Sequence, residues 1–179
     1  SDGANEVINT LEKKYMKHVD ELYSTQEMKE TTRKFLADEF SYLRSFTKDI
    51  FTSFEERIIV AQGEVISTNM VVNYLKEIGI KALLIDALDF MRTDKNAEPD
   101  AHYIKEHLSE IMSANKGYQI YITQGFICRN AYGEVDNLQR GGSDYTASLI
   151  GAALMADEII IWTDIDGMHN NDPRIVDKT

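Results

Sequence analysis

The first third of the chain repeats apolar residues with the period of an amphipathic helix. Apolar side chains recur every three or four positions in two stretches that are separated by a break near Ser24 and Thr25. The first stretch comprises Val7, Ile8, Leu11, Tyr15, Val19 and Leu22, and the second comprises Phe35, Leu36, Phe40, Leu43 and Phe46. Charged residues occupy the other positions, which is typical of a solvated helix face. The pattern predicts two amphipathic helices within a helical segment over residues 1–57.

From Ile58 onward the pattern changes, and predicted strands alternate with predicted helices. Short apolar runs predict strands at 58–61, 80–86 and 118–123, and helical periodicity predicts helices at 65–77 and 101–112. This alternation favours a mainly parallel sheet with helices on both faces. The fold class predicted for residues 58–179 is therefore α/β, a three-layer α/β/α sandwich.

The apolar residues of the last third predict a helix and a strand that are both buried. Residues 145–156 are apolar almost all round, which predicts a helix covered on both sides. The β-branched run 158–162 predicts a central parallel strand. Such a strand brings Thr163, Asp164 and Asp166 to the edge of the sheet, where open α/β folds place their ligands.

A glycine-containing loop precedes that helix. Gly141 and Gly142 allow the backbone to approach a ligand closely, Ser143 and Asp144 offer a helix cap, and the helix N-terminus attracts anions. A tight turn into an ordinary capped helix is the alternative, because short glycine motifs match by chance.

Five separated stretches together resemble one family, the aspartate kinases of the amino-acid kinase superfamily. They occur in the order and at the spacing of that family: Gln62-Gly63-Glu64, Gly125-Phe126-Ile127, residues 138–147, residues 161–167 and Asp172-Pro173-Arg174. The resemblance is close from Ile58 to the end, whereas the first part matches only as a helical insertion. A set of this kind is far more specific than one glycine loop.

The resemblance implies ATP-dependent phosphorylation of L-aspartate to 4-phospho-L-aspartate, the entry to lysine, threonine and methionine synthesis. It also implies Mg²⁺ held mainly by the nucleotide phosphates, and a cytoplasmic parent enzyme that is a homo-oligomer. A carboxylate with a pKa near 4 is already ionised at neutral pH and needs no general base. Such a kinase therefore depends on positioning and charge neutralisation.

Three matched positions are expected to bind the substrate aspartate. Arg140 is expected to bind a carboxylate bidentately, and Glu64 to bind the α-amino group from the end of the 58–61 strand. Phe126 is expected to lie against the bound aspartate. Each has a structural alternative: an ion pair for Arg140, a favourable helix-dipole charge for Glu64, and core packing for Phe126.

The glycine loop completes the implied substrate site, with Gly141 and Gly142 in its backbone. Ser143 is expected to act through its hydroxyl and backbone. Asp144, the expected catalytic residue, organises cations around the transferring phosphate. Helix capping is the alternative role of Ser143 and Asp144, and both roles can hold together.

The nucleotide positions follow further along the chain. The resemblance assigns Thr163 and Asp164 to the adenosine part of ATP, and Arg174 to its phosphates. His169 stands beside the nucleotide, where many members have a tyrosine. A metal pair made by Asp164 and Asp166 is disfavoured, because magnesium in such sites is held largely by phosphate oxygens and water.

The chain departs from the family pattern at several places. Gln139 stands where a glycine is usual, which is expected to alter the loop conformation. The Lys-Phe-Gly-Gly-Ser/Thr motif, a downstream nucleotide-contacting lysine and the paired regulatory domains do not occur in this sequence. We expect an internal fragment of a catalytic domain, without measurable kinase activity of its own.

The amino-acid composition narrows the classes of partner and binding site. With 19 basic and 30 acidic residues the net charge is -11, which disfavours nucleic acid or an anionic membrane as the main partner. The single cysteine, Cys128, suits a reducing cytoplasm, and the four histidines lack zinc spacing. No apolar run reaches the ~20 residues that span a bilayer, and no secretory signal opens the chain.

Two other functions stay open. One is a different amino-acid kinase that acts on glutamate, acetylglutamate or a nucleoside monophosphate, although Arg140 with Glu64 favours aspartate. The other is a non-catalytic helical interaction module on a degenerate nucleotide-binding fold.

Overall fold

The structure, a computed structural model, describes residues 2–48, 51–139, 141–163, 171 and 175–176. Two helices form the first part, α1 (Asp2–Leu22) and α2 (Gln26–Ser45). The break between them lies where the sequence predicts it, because the Thr25 side chain caps α2 by accepting a hydrogen bond from the Met28 amide. The two predicted amphipathic helices are confirmed.

The third helix, α3 (Ser53–Glu77), corrects the predicted strand at 58–61. A capping box made by Thr52 and Glu55 starts the helix ahead of the apolar run, which then continues as helix into the predicted 65–77 segment. The run is apolar because α3 packs against α2 on one side and against β-strands on the other. Periodicity alone cannot separate such a buried helix from a buried strand. The predicted division at residue 57 stays a prediction, and α3 runs continuously across it.

The strands form two small sheets. Strand β1 (Ala82–Ile85) pairs in parallel with β2 (Ile120–Thr123), with Ala82 opposite Ile120. The crossover contains a 3-10 turn (Ala87–Asp89) and helix α4 (Ala101–Ala114). Strand β3 (Ile127–Arg129) pairs antiparallel with β4 (Val135–Asn137), and helix α5 (Gly142–Leu154) follows. The α/β class and the predicted elements at 80–86, 101–112, 118–123 and 145–156 are confirmed. The predicted cover on both sides of the last helix is wrong in this structure, because Tyr145 and Leu154 of α5 are 44% and 37% exposed.

The predicted central strand at 158–162 is wrong in this structure. The run pairs with no other strand among the described residues, and Ile160 and Trp162 are exposed. A strand is defined by hydrogen bonds to a neighbouring strand, and β-branched composition cannot supply that neighbour. The run instead lays the side chain of Ile159 against Gly151 of α5.

Two hydrophobic clusters stabilise the fold, and α3 contributes to both. The helical cluster joins Val19, Leu36 and Phe40 to Ile66 and Met70 of α3. The α/β cluster surrounds the fully buried side chains of Phe90, Met91 and Ile127, and it includes Ala61 of α3. The helical segment and the α/β part therefore share one structural element. No helix in the described part of the chain is long and apolar enough to cross a membrane.

Cys128 lies fully buried in the α/β cluster, and its thiol should be unreactive in the folded protein. Burial, and then the negative charge of Asp136, raise the pKa of the thiol to about 12. At pH 8 only about one thiol in ten thousand is then ionised, against roughly a quarter at the ordinary pKa near 8.5. We expect a disulfide reagent to label native Cys128 at least ~100-fold more slowly than the chain unfolded in guanidinium. A native rate close to the unfolded rate would contradict this burial.

Candidate functional site

The glycine loop enters α5 through backbone geometry and without a side-chain cap. Gly141 is the N-cap residue, with a φ of 77° in the left-handed region, and no side chain of a described residue accepts a hydrogen bond from the first turn. The predicted capping role of Ser143 and Asp144 is therefore wrong. Both side chains are exposed in the first turn of the helix. The N-terminus of α5 thus presents a hydroxyl, a carboxylate and its helix dipole to a ligand.

A second loop packs directly on this helix start. A Cβ placed on Gly125 would lie 3.0 Å from Ser143 Oγ, and a Cβ placed on Gly142 would lie 2.9 Å from Phe126 Cδ2. Both glycines are needed, because a Cβ at either position would lie within 3.0 Å of a side-chain atom of the facing segment. The structure thereby brings together Phe126, Gly142 and Ser143, three residues that the sequence assigns to one site.

Hydrogen bonds hold the two loops in this arrangement. Phe126 has a φ of 70°, and its amide donates to Thr146 Oγ1 at 3.1 Å. The Thr146 hydroxyl in turn donates to the Gly142 carbonyl at 2.7 Å. The Leu138 amide donates to the Phe126 carbonyl at 2.7 Å. These bonds stabilise the uncommon backbone conformation of Phe126, which places its half-buried ring against the glycine loop.

Glu64 lies in the interior of α3, which corrects its predicted place at the end of a strand. It is partly exposed, so its carboxylate remains accessible to a ligand. The helix-start role is also wrong, because Glu64 is far from the first turn of α3. Its carbonyl accepts a hydrogen bond from Thr68 Oγ1 at 2.7 Å.

Gln124 links this turn of α3 to the loop that carries Phe126. Its side chain is almost fully buried, and its Nε2 donates to Thr68 Oγ1 at 3.0 Å. Its Oε1 accepts from the Ala87 amide at 2.8 Å. A buried amide with both ends satisfied positions the elements that it joins. Gln124 therefore sets the position of α3 near Glu64 relative to the Gly125–Phe126 loop.

Sequence reasoning missed Gln124, Thr68 and Thr146 as supports of the site. A polar residue directly after an apolar strand, as Gln124 follows β2, is the signal that could have identified Gln124. Thr68 and Thr146 lie inside helical patterns, where a threonine gives no indication that its hydroxyl accepts a hydrogen bond from another element. Their roles depend on which elements pack together.

A cleft of about 440 Å³ runs along the glycine loop. Its walls include Gln139 and Tyr145 of the loop and helix, with Arg57 of α3 and Asp136 of β4. Arg57 Nε lies 3.5 Å from Asp136 Oδ1, so this ion pair joins the helix that carries Glu64 to the strand that leads into the loop. The cleft is large enough for a small polar metabolite beside the N-terminus of α5.

The remaining predicted site residues are not brought to this place by the described structure. Thr163 is exposed and follows the unpaired 158–162 run, so it does not stand at a strand end. Arg140, Asp164, His169 and Arg174 lie outside the described residues, as do Asp166 and the Asp172–Pro173 pair. Among the described residues no cluster of three or more His, Cys, Asp or Glu side chains could hold a metal ion.

The backbone at Gln139 shows why a glycine suits this position. Gln139 has a φ of 60°, which costs a residue with a Cβ about 1 kcal/mol or more. Its side chain is exposed, and the Gly142 amide donates to its carbonyl, which a glycine retains. We expect Gln139→Gly to raise the free energy of unfolding by up to about 1 kcal/mol, and Gln139→Val to lower it by at least ~1 kcal/mol. Urea unfolding of both variants measures this, and a destabilised glycine variant would contradict it.

Comparison with known proteins finds similar sequences and similar structures. The sequence model described as amino acid kinase family matches residues 3–179. The lysine-sensitive aspartokinase 3 of Escherichia coli K12 is 41% identical over 123 residues, which cover 66% of this chain and 27% of that protein. The aspartokinase of Chlamydia muridarum is 35% identical over 124 residues, which cover 68% of this chain and 28% of that protein.

Solved structures show the same likeness in the fold. E. coli aspartokinase III in complex with aspartate and ADP superposes with a TM-score of 0.71 at 30% identity, over 89% of this chain and 36% of that one. Its complex with lysine and aspartate gives a TM-score of 0.68 at 32% identity, with the same coverage. The chain thus spans about a third of the length of these structures and 27% of the curated E. coli relative.

Proposed function

Since the chain belongs to the amino acid kinase family, we propose that it forms part of the catalytic domain of an aspartate kinase. The proposed enzyme transfers the terminal phosphoryl group of ATP to the side-chain carboxylate of L-aspartate. The observation that carries the proposal is the contact of the Gly125–Phe126 loop with Gly142 and Ser143 at the uncapped start of α5. The similarity to aspartokinases, including one solved with aspartate and ADP, supports the substrate class.

The chain's own residues have separate tasks in this proposal. Arg140 binds the α-carboxylate, Glu64 binds the α-amino group, and the Phe126 ring packs against the substrate carbon chain. Binding of the α-carboxylate and the α-ammonium group at one end of aspartate then orients its side-chain carboxylate towards the phosphate. Because that carboxylate is already ionised, catalysis rests on holding it in line for attack.

The start of α5 neutralises charge in the proposed reaction. Its dipole and the Ser143 hydroxyl face the transferring phosphate, and Asp144 organises the surrounding cations. The first turn fits an anionic group, since its amides donate to no side chain in the described part of the chain. Magnesium would be held mainly by the phosphates and would supply positive charge to the transferring group.

Nucleotide binding is proposed for Thr163, Asp164, His169 and Arg174. The family match, which extends to residue 179, covers all four positions. The first two would contact the adenosine part, His169 would lie beside the nucleotide, and Arg174 would contact the phosphates. An arginine is suited to this task because its planar guanidinium binds phosphate oxygens bidentately.

Arg140→Ala tests the proposed function in the intact protein that carries this chain. We expect the KM for aspartate to rise about 10- to 150-fold, because a charged hydrogen bond contributes roughly 1.5–3 kcal/mol. The KM for ATP should stay within about threefold of the parent value. Trapping the acyl phosphate with hydroxylamine measures both constants.

The matched control is Arg33→Ala, which removes an arginine that pairs with Asp20 in the helical part. It should leave both KM values unchanged, since surface ion pairs contribute little. Equal losses of affinity for aspartate and ATP in Arg140→Ala would contradict the assignment. If the parent protein phosphorylates glutamate or acetylglutamate faster than aspartate, the assignment of aspartate as the substrate is wrong.

A further inference from the structure

Thr146 supplies one almost fully buried hydroxyl that joins both loops of the proposed aspartate site. It lies near the start of α5 and is 2% exposed. Its Oγ1 accepts a hydrogen bond from the Phe126 amide at 3.1 Å and donates one to the Gly142 carbonyl at 2.7 Å. A threonine hydroxyl can accept and donate at the same time. The two bonds therefore form a continuous link from the Phe126 loop to the helix start.

On the loop side, the link supports a strained backbone turn. The Ile127 amide donates to the Gly125 carbonyl at 2.8 Å, and Phe126 between them has a φ of 70°. This bond and this angle define a γ-turn with a positive φ, which is the rarer and more strained kind. The Thr146 hydroxyl stabilises the turn by satisfying the Phe126 amide, and the turn sets the direction of the Phe126 ring.

On the helix side, the link orients a backbone amide. The Gly142 carbonyl and the Ser143 amide belong to one peptide group, which is planar and rotates as a unit. By holding the carbonyl, the Thr146 hydroxyl also fixes the direction of the Ser143 N–H. A carbonyl that accepts a hydrogen bond polarises its peptide group, which makes the N–H a stronger donor. Thr146 thus acts on the side of the site that the proposed function turns towards the transferring phosphate.

An ordinary hydrogen bond within a helix explains only half of this arrangement. Threonine hydroxyls often donate to the carbonyl four residues earlier, as exposed Thr10 does to Glu6 at 2.9 Å. Thr146 makes the same bond, but it also accepts from an amide 20 residues earlier in the chain. The additional bond connects two separate elements, so this hydroxyl sets their relative position.

We propose that Thr146 is a positioning residue for the reaction, which holds the Phe126 ring and the Ser143 amide in one fixed arrangement. The inference rests on the proposed function, in which the ring packs against aspartate and the helix start faces the phosphate. Because Thr146 is buried, it acts on the substrates through these two residues. Alignment of this kind matters, since a misplacement of about 1 Å can slow a reaction roughly a hundredfold.

Thr146→Val tests this role in the intact protein that carries the chain, because valine keeps the shape and removes the hydroxyl. We expect kcat/KM for aspartate to fall about tenfold or more, through a higher aspartate KM and a lower kcat, since the Phe126 amide loses its acceptor. The KM for ATP should stay within about threefold of the parent value. Thr146→Ser restores the hydroxyl and should return both aspartate constants to within about threefold.

Hydrogen exchange of the Phe126 amide, followed by NMR, measures the link without substrate. The amide should exchange at least about tenfold faster in Thr146→Val than in the parent or in Thr146→Ser. Thr146→Ala is a second variant without the hydroxyl, and its high helix propensity favours folding of α5. Thr10→Val is the matched control, because it removes only a bond within α1, and it should change neither the kinetics nor the exchange.

The outcomes separate positioning from stability. A hydroxyl with a purely structural role would lower the melting temperature of the variants and leave the aspartate KM of the folded protein unchanged, which overturns the proposal. Unchanged exchange of the Phe126 amide in both hydroxyl-free variants, or no rescue by serine, also overturns it. If the intact parent does not phosphorylate aspartate, the proposed function is wrong and the role of Thr146 falls with it. An active parent whose hydroxyl-free variants keep its kinetics contradicts the role of Thr146 alone.

Discussion

Gly142→Val should reduce the catalytic efficiency for aspartate about a thousandfold or more, a loss of at least ~4 kcal/mol of transition-state stabilisation. The reason is steric. A Cβ at Gly142 would lie 2.9 Å from Phe126 Cδ2, 3.2 Å from the Phe126 Cα and 3.2 Å from the Leu138 Cβ. Two of these atoms are held by the loop backbone, so the added side chain must displace the loop that carries Phe126.

The loss of catalytic efficiency should increase with the size of the side chain at residue 142. Gly142→Ala brings only the Cβ and should lose roughly tenfold to a hundredfold, while valine adds two methyl groups at the same contact. Gly3→Ala is the matched control, because a Cβ there meets nothing within 4 Å. Steady-state kinetics of the three variants in the intact protein that carries this chain, with thermal unfolding to verify folding, measure the result. If a folded Gly142→Val protein keeps a catalytic efficiency close to that of the parent, the contact between Gly142 and Phe126 has no role in the proposed site.

Phe90→Ala should destabilise the fold by about 3–5 kcal/mol, the usual range for deleting a buried aromatic ring. Phe90 is fully buried, and it packs in the cluster that contains Met91, Ile104 and Ile127. Its removal leaves a cavity in the α/β cluster, which the close-packed surroundings cannot fill completely.

The control is Phe51→Ala, a phenylalanine that is 57% exposed. It should lose less than about 1.5 kcal/mol, because most of its ring already contacts water. Urea unfolding followed by circular dichroism gives both free energies. A loss below about 1 kcal/mol for Phe90→Ala would mean that the α/β cluster does not hold this part of the chain together.

Several elements were predictable because their signals are local. The 3.6-residue period defines the apolar faces of α1 and α2, and Thr25 supplies the cap that separates them. Strands β1 and β2 and helix α4 were likewise predicted, because each has its own apolar pattern and breaks on both sides. The family match confirms the resemblance drawn from five motif stretches.

Other elements needed the tertiary structure because their state depends on a partner. The 58–61 run is helical because it continues α3 between two clusters, and the 158–162 run is unpaired because no described strand lies beside it. Gln139 illustrates a mixed case. The sequence shows that Gln139 replaces the glycine that is usual in the family. Only the structure shows that residue 139 has a φ of 60°, a backbone conformation that costs a residue with a Cβ free energy.

The sequence by itself determined the α/β class, the helical first part and the motifs that point to the kinase family, because periodicity and motif spacing are properties of one chain segment at a time. Only the tertiary structure decided that the Gly125–Phe126 loop touches Gly142 and Ser143, and that Gln124 joins it to α3. These residues are far apart along the chain. The contacts of Gly125 and Phe126 arise where the start of α5 packs on the loop after β2, and the Gln124–Thr68 bond arises where α3 packs near β2. No local pattern encodes this packing.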